Sequence, residues 1–179
     1  MNYREILDFW FKEATPAQHF KKDDNFDALI KERFLELHTK VAQGEYAEWR
    51  QTVHGRLAEI IVLDQFSRNL FRDKKESFTF DGMALILAQE AIATGKLDQL
   101  TVNERGFLYM PFMHSESVKI HEEALLLFSE EGLENQLDFE KRHFEIIKRF
   151  SRYPHRNEIL DRESTQEEIT FLKEPGSSF

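Results

Sequence analysis

Apolar residues recur along nearly the whole chain at the spacing of helices rather than strands. Ile6, Leu7, Trp10 and Phe11 open the pattern; Ile30, Phe34, Leu37 and Val41 repeat at i, i+4, i+7 and i+11 before Gly44. This spacing puts side chains on one helical face, and a glycine just past the last periodic residue commonly stops a helix. Leu57, Ile60 and Ile61 form a further stripe, which Asp64 continues. Asp81 is placed to N-cap "GMALILAQEAIAT", closed by Gly95. Thr101 with Glu104 and Thr165 with Glu168 are T-x-x-E capping boxes, each side chain satisfying the other residue's free backbone N–H. The helix starting at Thr101 meets Pro111, which lacks an N–H donor and should kink or end it. Val118, His121, Leu125 and Phe128 mark another stripe, stopped by Gly132, and Phe139, His143, Ile147 and Phe150 mark the next.

No stretch alternates apolar and polar residues for long, and no Asn-Gly or Asp-Gly turn joins β-branched runs. The expected fold is all-α, about eight short antiparallel helices. They form one domain over residues 1–174, with 175–179 as a loose tail. Small residues at Ala84, Ala88 and Ala91 suggest closely stacked hairpins of the tetratricopeptide kind. A clean period of about 34 residues is missing, so the array is degenerate and closed into a globule.

Composition removes several classes of function. The net charge of −9 argues against a nucleic-acid partner, since such proteins usually carry a basic excess. There is no cysteine, which excludes disulfides, thiol catalysis and cysteine-ligated metals and fits a reducing, cytoplasmic setting. Charges at Arg4, Glu5 and Asp8 argue against a signal peptide, and no apolar run is long enough for a membrane span.

One stretch departs from simple core logic. "LDQFSRNLFR" (Leu63 to Arg72) follows the apolar "LAEIIV" with Asp64, Gln65, Arg68, Asn69 and Arg72. "FSRNLFR" has an echo in "FSRYPHR" (Phe150 to Arg156); both read F-S-R-x-x-x-R at the end of an apolar-striped helix. The second copy lies in a basic island, where Arg142, Lys148, Arg149, Arg152 and Arg156 face a single acid, Glu145. Tyr153 precedes proline and should be extended, which leaves His155, Arg156 and Asn157 on a loop able to turn back over the helix end. Arginines near helix C-termini also simply offset the macrodipole, by about 0.3–1 kcal/mol each. The functional alternative is that Arg68, Asn69, Arg72, Arg152, His155, Arg156 and Asn157 converge on an anion, because guanidinium forks bind phosphate or carboxylate through paired hydrogen bonds.

At these residues the chain resembles a known family. "ILDFWF", "IIVLDQFSRNLFR", "ERGFLYMPFMHSES" and "RFSRYPHRNEILDRESTQEEITFL" look like the bacterial domain-of-unknown-function 924 family, from about Ile6 to Leu172. The resemblance implies a tetratricopeptide-like all-α fold and no established activity, so it carries over no catalytic residues. It also implies proline as a frequent residue where Ser67 stands, and glycine where Ser151 and Asp161 stand.

Other candidate chemistry is sparse. His114, beside the proline-disturbed helix end, is an acid/base candidate because imidazole titrates near neutrality, with Ser115 or Ser117 capping the next helix. Asp64 and Glu104 are candidates to orient it. Glu140 and His143 have the Glu-x-x-His spacing of di-iron bundles, but only one such motif occurs, and "HEEAL" at His121 lacks the second histidine of H-E-x-x-H. His121 and His143 are expected to be satisfied core histidines, and no metal or cofactor is expected. No G-x-S-x-G elbow, G-x-G-x-x-G or Walker loop occurs. Two readings stay open. One is a binding module for an anionic small molecule or acidic peptide, clamped by Arg68, Arg72, Arg152 and Arg156. The other is an enzyme acting on a small phosphorylated or carboxylate substrate by His/carboxylate acid–base chemistry.

Overall fold

The computed structural model describes residues 1–179 and contains no strand. Its α-helices are α1 (Tyr3–Asp8), α2 (Pro16–Phe20), α3 (Asp24–Ala42), α4 (Val53–Ile61), α5 (Ser67–Leu70), α6 (Asp81–Ala93), α7 (Val102–Met113), α8 (Val118–Leu127), α9 (Glu134–Phe150) and α10 (Gln166–Phe171). Two wide π turns interrupt them: Phe9–Glu13 extends α1, and Val62–Phe66 joins α4 to α5 without a break.

The capping boxes form as the sequence predicts. Thr101 N donates to Glu104 Oε2 at 2.8 Å, and Thr165 N to Glu168 Oε2 at 2.8 Å. Three local expectations change. Phe80, not Asp81, holds the N-cap position of α6, and the Asp81 carboxylate turns sideways to arginines. Pro111 does not break α7; it lies so near the end that the helix runs on to Met113. The buried face of α9 is Glu140, His143, Ile146 and Ile147, and Phe139 is left exposed.

α4 is the central rod, packing against α1, α6 and α7, while α6, α7, α8 and α9 pack each on the next. Leu57, Ile60, Ile61, Val62, Leu63 and Phe66 are completely buried in the main core. A smaller cluster of Ile146, Ile147, Tyr153 and Phe171 seats the C-terminal loop against α9. Residues 175–179 fold back onto this end: Ser177 is buried, and the Phe179 ring lies tilted against His143, with centroids 3.7 Å apart. No helix is long and apolar enough to cross a membrane.

Candidate functional site

Polar groups enter the core here: burial is unbroken from Leu57 through Ser67, across α4, the π turn and the start of α5, so Asp64 and Gln65 are enclosed with their apolar neighbours. A buried carboxylate needs partners, because an unpaired charge in the interior is costly. Asp64 has three: His114 Nδ1 at 2.7 Å, Gln65 Nε2 at 2.6 Å and Arg68 Nη1 at 3.2 Å. Burial alone would push the Asp64 carboxyl up, but His114 and the Arg68 guanidinium outweigh it and hold it below the usual carboxylate range. An ionised Asp64 only accepts, so His114 Nδ1 must be the donor.

His114 caps the C-terminus of α7. Burial, then the neighbouring Arg68 charge, lower its pKa against the opposing pull of Asp64. The ring is therefore neutral near pH 7, protonated on Nδ1, with a bare Nε2 that makes no hydrogen bond within the chain. His114 lines a cavity of about 480 Å³ together with Lys75, Phe78, Asp81, Glu116 and Arg156, and with Leu85, Pro111 and Leu160 as apolar wall.

The arginines sort into separate sets. Arg68 forks onto Asp81 at 2.9 and 3.0 Å, and Arg156 reaches the same carboxylate at 3.4 Å. Two of the predicted cluster thus meet on one anion, but that anion is the protein's own. The Arg156 guanidinium carbon lies over both Phe78 and Tyr153, 4.5 and 4.7 Å from the ring centres. Arg156 donates to the His114 carbonyl at 3.1 Å, and its Nε–H has no partner.

Arg72 and Asn69 bind Asp27 of α3, away from the cavity. Arg152 forks onto Glu168 at 2.6 and 2.7 Å and, with the capping box, holds that carboxyl down at about 2. Asn157 is buried between Ser164 and Arg162. His155 packs between Tyr153 and Phe179, with Nδ1 buried and unpartnered, and does not line the cavity. Glu104 caps the start of α7, whereas His114 stands at its end, about 15 Å along the axis.

Four charged or aromatic cavity groups, Lys75, Phe78, Asp81 and Glu116, escaped the sequence reasoning as site members. Lys75 and Phe78 belong to a short 3-10 turn, and Asp81 begins α6. No spacing signal marks the turn; Asp81 resembled a helix cap. Glu116, two residues after His114, takes Arg162 at 2.7 and 3.0 Å. No group of three or more His, Asp and Glu side chains is placed to hold a metal ion.

The sequence pattern of DUF924, bacterial proteins of unknown function, matches residues 6–176. The chain belongs to the DUF924 family. The solved structure of the protein of unknown function ATU0120 from Agrobacterium tumefaciens is similar to it. That structure has a TM-score of 0.90 and 37% identity, with 96% of each chain covered. No curated protein matches. The DUF924 family thus accounts for the fold and leaves the chemistry to be argued from the cavity.

Proposed function

We propose that this DUF924 protein is an enzyme acting on a small molecule with an anionic group, with His114 as general base and Asp64 orienting it. The observation that carries this reading is the 2.7 Å bond from His114 Nδ1 to a buried carboxylate, which leaves Nε2 as the free nitrogen of a cavity-lining ring. A general base needs that arrangement: an unprotonated nitrogen toward the substrate and a fixed tautomer behind it.

Pairing supports an anionic ligand. The acids that line the cavity are already taken: Arg68 and Arg156 hold Asp81, and Arg162 holds Glu116. Lys75 is exposed at the rim and forms no ion pair, and Arg156 makes only one long contact to Asp81, at 3.4 Å, so these two are the ligand's natural partners. The volume favours a metabolite over an acidic peptide, since small-molecule sites span about 300–1,000 Å³. Arg72 and Arg152, which a peptide clamp would need, are occupied by Asp27 and Glu168.

The test is to follow the His114 ring nitrogens by NMR while titrating inorganic phosphate and small carboxylates at fixed ionic strength. Expected are a bare Nε2 in the free protein, a ligand-dependent shift there, and weaker binding in Lys75→Ala. If no anion moves His114, or if Lys75→Ala binds as wild type does, this reading is wrong.

A further inference from the structure

The backbone carrying His114 is held from outside by side chains of later elements. Tyr153 Oη donates to the Met113 carbonyl at 2.6 Å, Arg156 Nη2 to the His114 carbonyl at 3.1 Å, and His121 Nε2 to the Ser115 carbonyl at 2.7 Å. The last carbonyls of a helix have no partner within it. Here three in succession are taken, one each, by donors from α8 and the loop after α9. A helix end needs only water to satisfy such groups; three buried or half-buried donors fix its position.

His121 extends this network into the core. It and Glu140 are both fully buried, with Nδ1 and Oε1 2.6 Å apart. A carbonyl oxygen only accepts, so the Ser115 contact requires the proton on Nε2. The short Nδ1–Oε1 contact requires a second proton between ring and carboxyl. Imidazolium with carboxylate, or imidazole with carboxylic acid, meets both conditions, and in each form Nε2–H stays on Ser115. Tyr153 Oη, already donating to Met113, accepts a longer share of the same N–H at 3.2 Å.

We infer that His121, Glu140 and Tyr153 are positioning residues of the His114 site, and that one proton held between His121 and Glu140 keeps the turn at residues 113–115 in place. The inference rests on His114 being the acting base. None of the three lines the cavity, so each acts through the backbone rather than on a ligand. A shift of that turn lengthens the His114–Asp64 bond, and with it goes the preference for the tautomer that leaves Nε2 bare.

The experiment compares wild type with Tyr153→Phe, His121→Phe and Glu140→Gln, reading the His114 ring nitrogens without ligand and then with inorganic phosphate. Tyr153→Phe keeps the ring against Arg156 and removes only the hydroxyl. It should mix the two His114 tautomers and measurably weaken phosphate binding. His121→Phe should do at least as much. Glu140→Gln should behave as wild type, because an amide N–H can donate to Nδ1 and leave Nε2–H on Ser115. Wild-type tautomer and wild-type phosphate binding in Tyr153→Phe overturn the inference, whether or not His121→Phe folds. Equal damage from Glu140→Gln and His121→Phe overturns the shared proton. Wild-type His114 left unmoved by phosphate and by the small carboxylates alike overturns the proposed function instead, and the ligand-free tautomer ratio still decides the positioning roles.

Discussion

Acid should destabilise this protein well above the range in which carboxylates protonate. His38 and His143 are 2% and 6% exposed, and His155 is half-buried. Burial holds them down at about 4, about 3 and about 4, against an ordinary 6.5. Because the folded values lie below the unfolded one, the unfolded chain takes up protons first as pH falls. The stabilisation is complete above about 6.5 and is lost on the way down toward the folded values near 4. Between about pH 7 and pH 5 a fully exposed ring gains about 1.9 kcal/mol of protonation free energy that the buried ring does not. Halving the shifts to allow for relaxation still leaves about 1.3 kcal/mol per ring, or about 4 kcal/mol for three. Domains of this kind have about 5–15 kcal/mol in all. His19 and His114 are lowered too and act in the same direction. The lowered carboxyls of Asp64, Glu116 and Glu168 lose their contribution only below their ordinary values of 3.8 to 4.5, so the windows separate. Urea unfolding followed by far-UV circular dichroism at the two pH values, in buffers of equal ionic strength, measures the difference. A change below about 1 kcal/mol would refute the argument, because it would mean the rings protonate without leaving the fold. His38→Gln, which keeps an N–H for the Ser67 hydroxyl, should remove about a third of the effect.

Two backbone substitutions should move stability in opposite directions. Ser151 closes α9 at φ 56°, a left-handed conformation that favours glycine, so Ser151→Gly should raise Tm through a gain of about 0.5–1 kcal/mol; a lower Tm counts against this. Gly55 lies where an added Cβ would stand 2.0 Å from the Trp49 carbonyl oxygen, so Gly55→Ala should cost about 3 kcal/mol, and a melt matching wild type would show that the Trp49 turn yields freely.

The helices were legible because their signals are local. Stripes such as Ile30, Phe34, Leu37 and Val41 and both T-x-x-E boxes depend on residues within a few positions of one another, and all formed. The glycines that family resemblance implies at 151 and 161 also have a physical reason, since Ser151 and Asp161 both hold positive φ. Ser67, where proline is common by that resemblance, uses its hydroxyl to bond Leu63 O and the His38 ring, contacts a proline cannot make. The π turn was illegible, because a wider turn inside a segment that is buried on every side from Leu57 through Ser67 leaves no mark in the pattern. Nor could the arginines' partners be read. Arg72 finds Asp27 45 positions away and Arg156 finds Asp81 75 positions away, and in a chain with 33 acids no spacing selects one.

The F-S-R-x-x-x-R echo nevertheless pointed at a real convergence, though not the symmetric one. The first arginine of the first copy and the last arginine of the second meet at Asp81, while Arg72 and Arg152 each tie their own helix end to a separate acid. The consequence for chemistry is a division of labour. Arg68 contacts Asp64 and Asp81 together, so its charge is spent inside the protein, lowering His114 and bracing the α6 start against the π turn. Arg156 is left with one long contact to Asp81, a bond to the His114 carbonyl and a buried Nε–H without a partner. Of two arginines on one carboxylate, Arg68 is the more fully paired, and after burial its charge is what lowers the neighbouring His114.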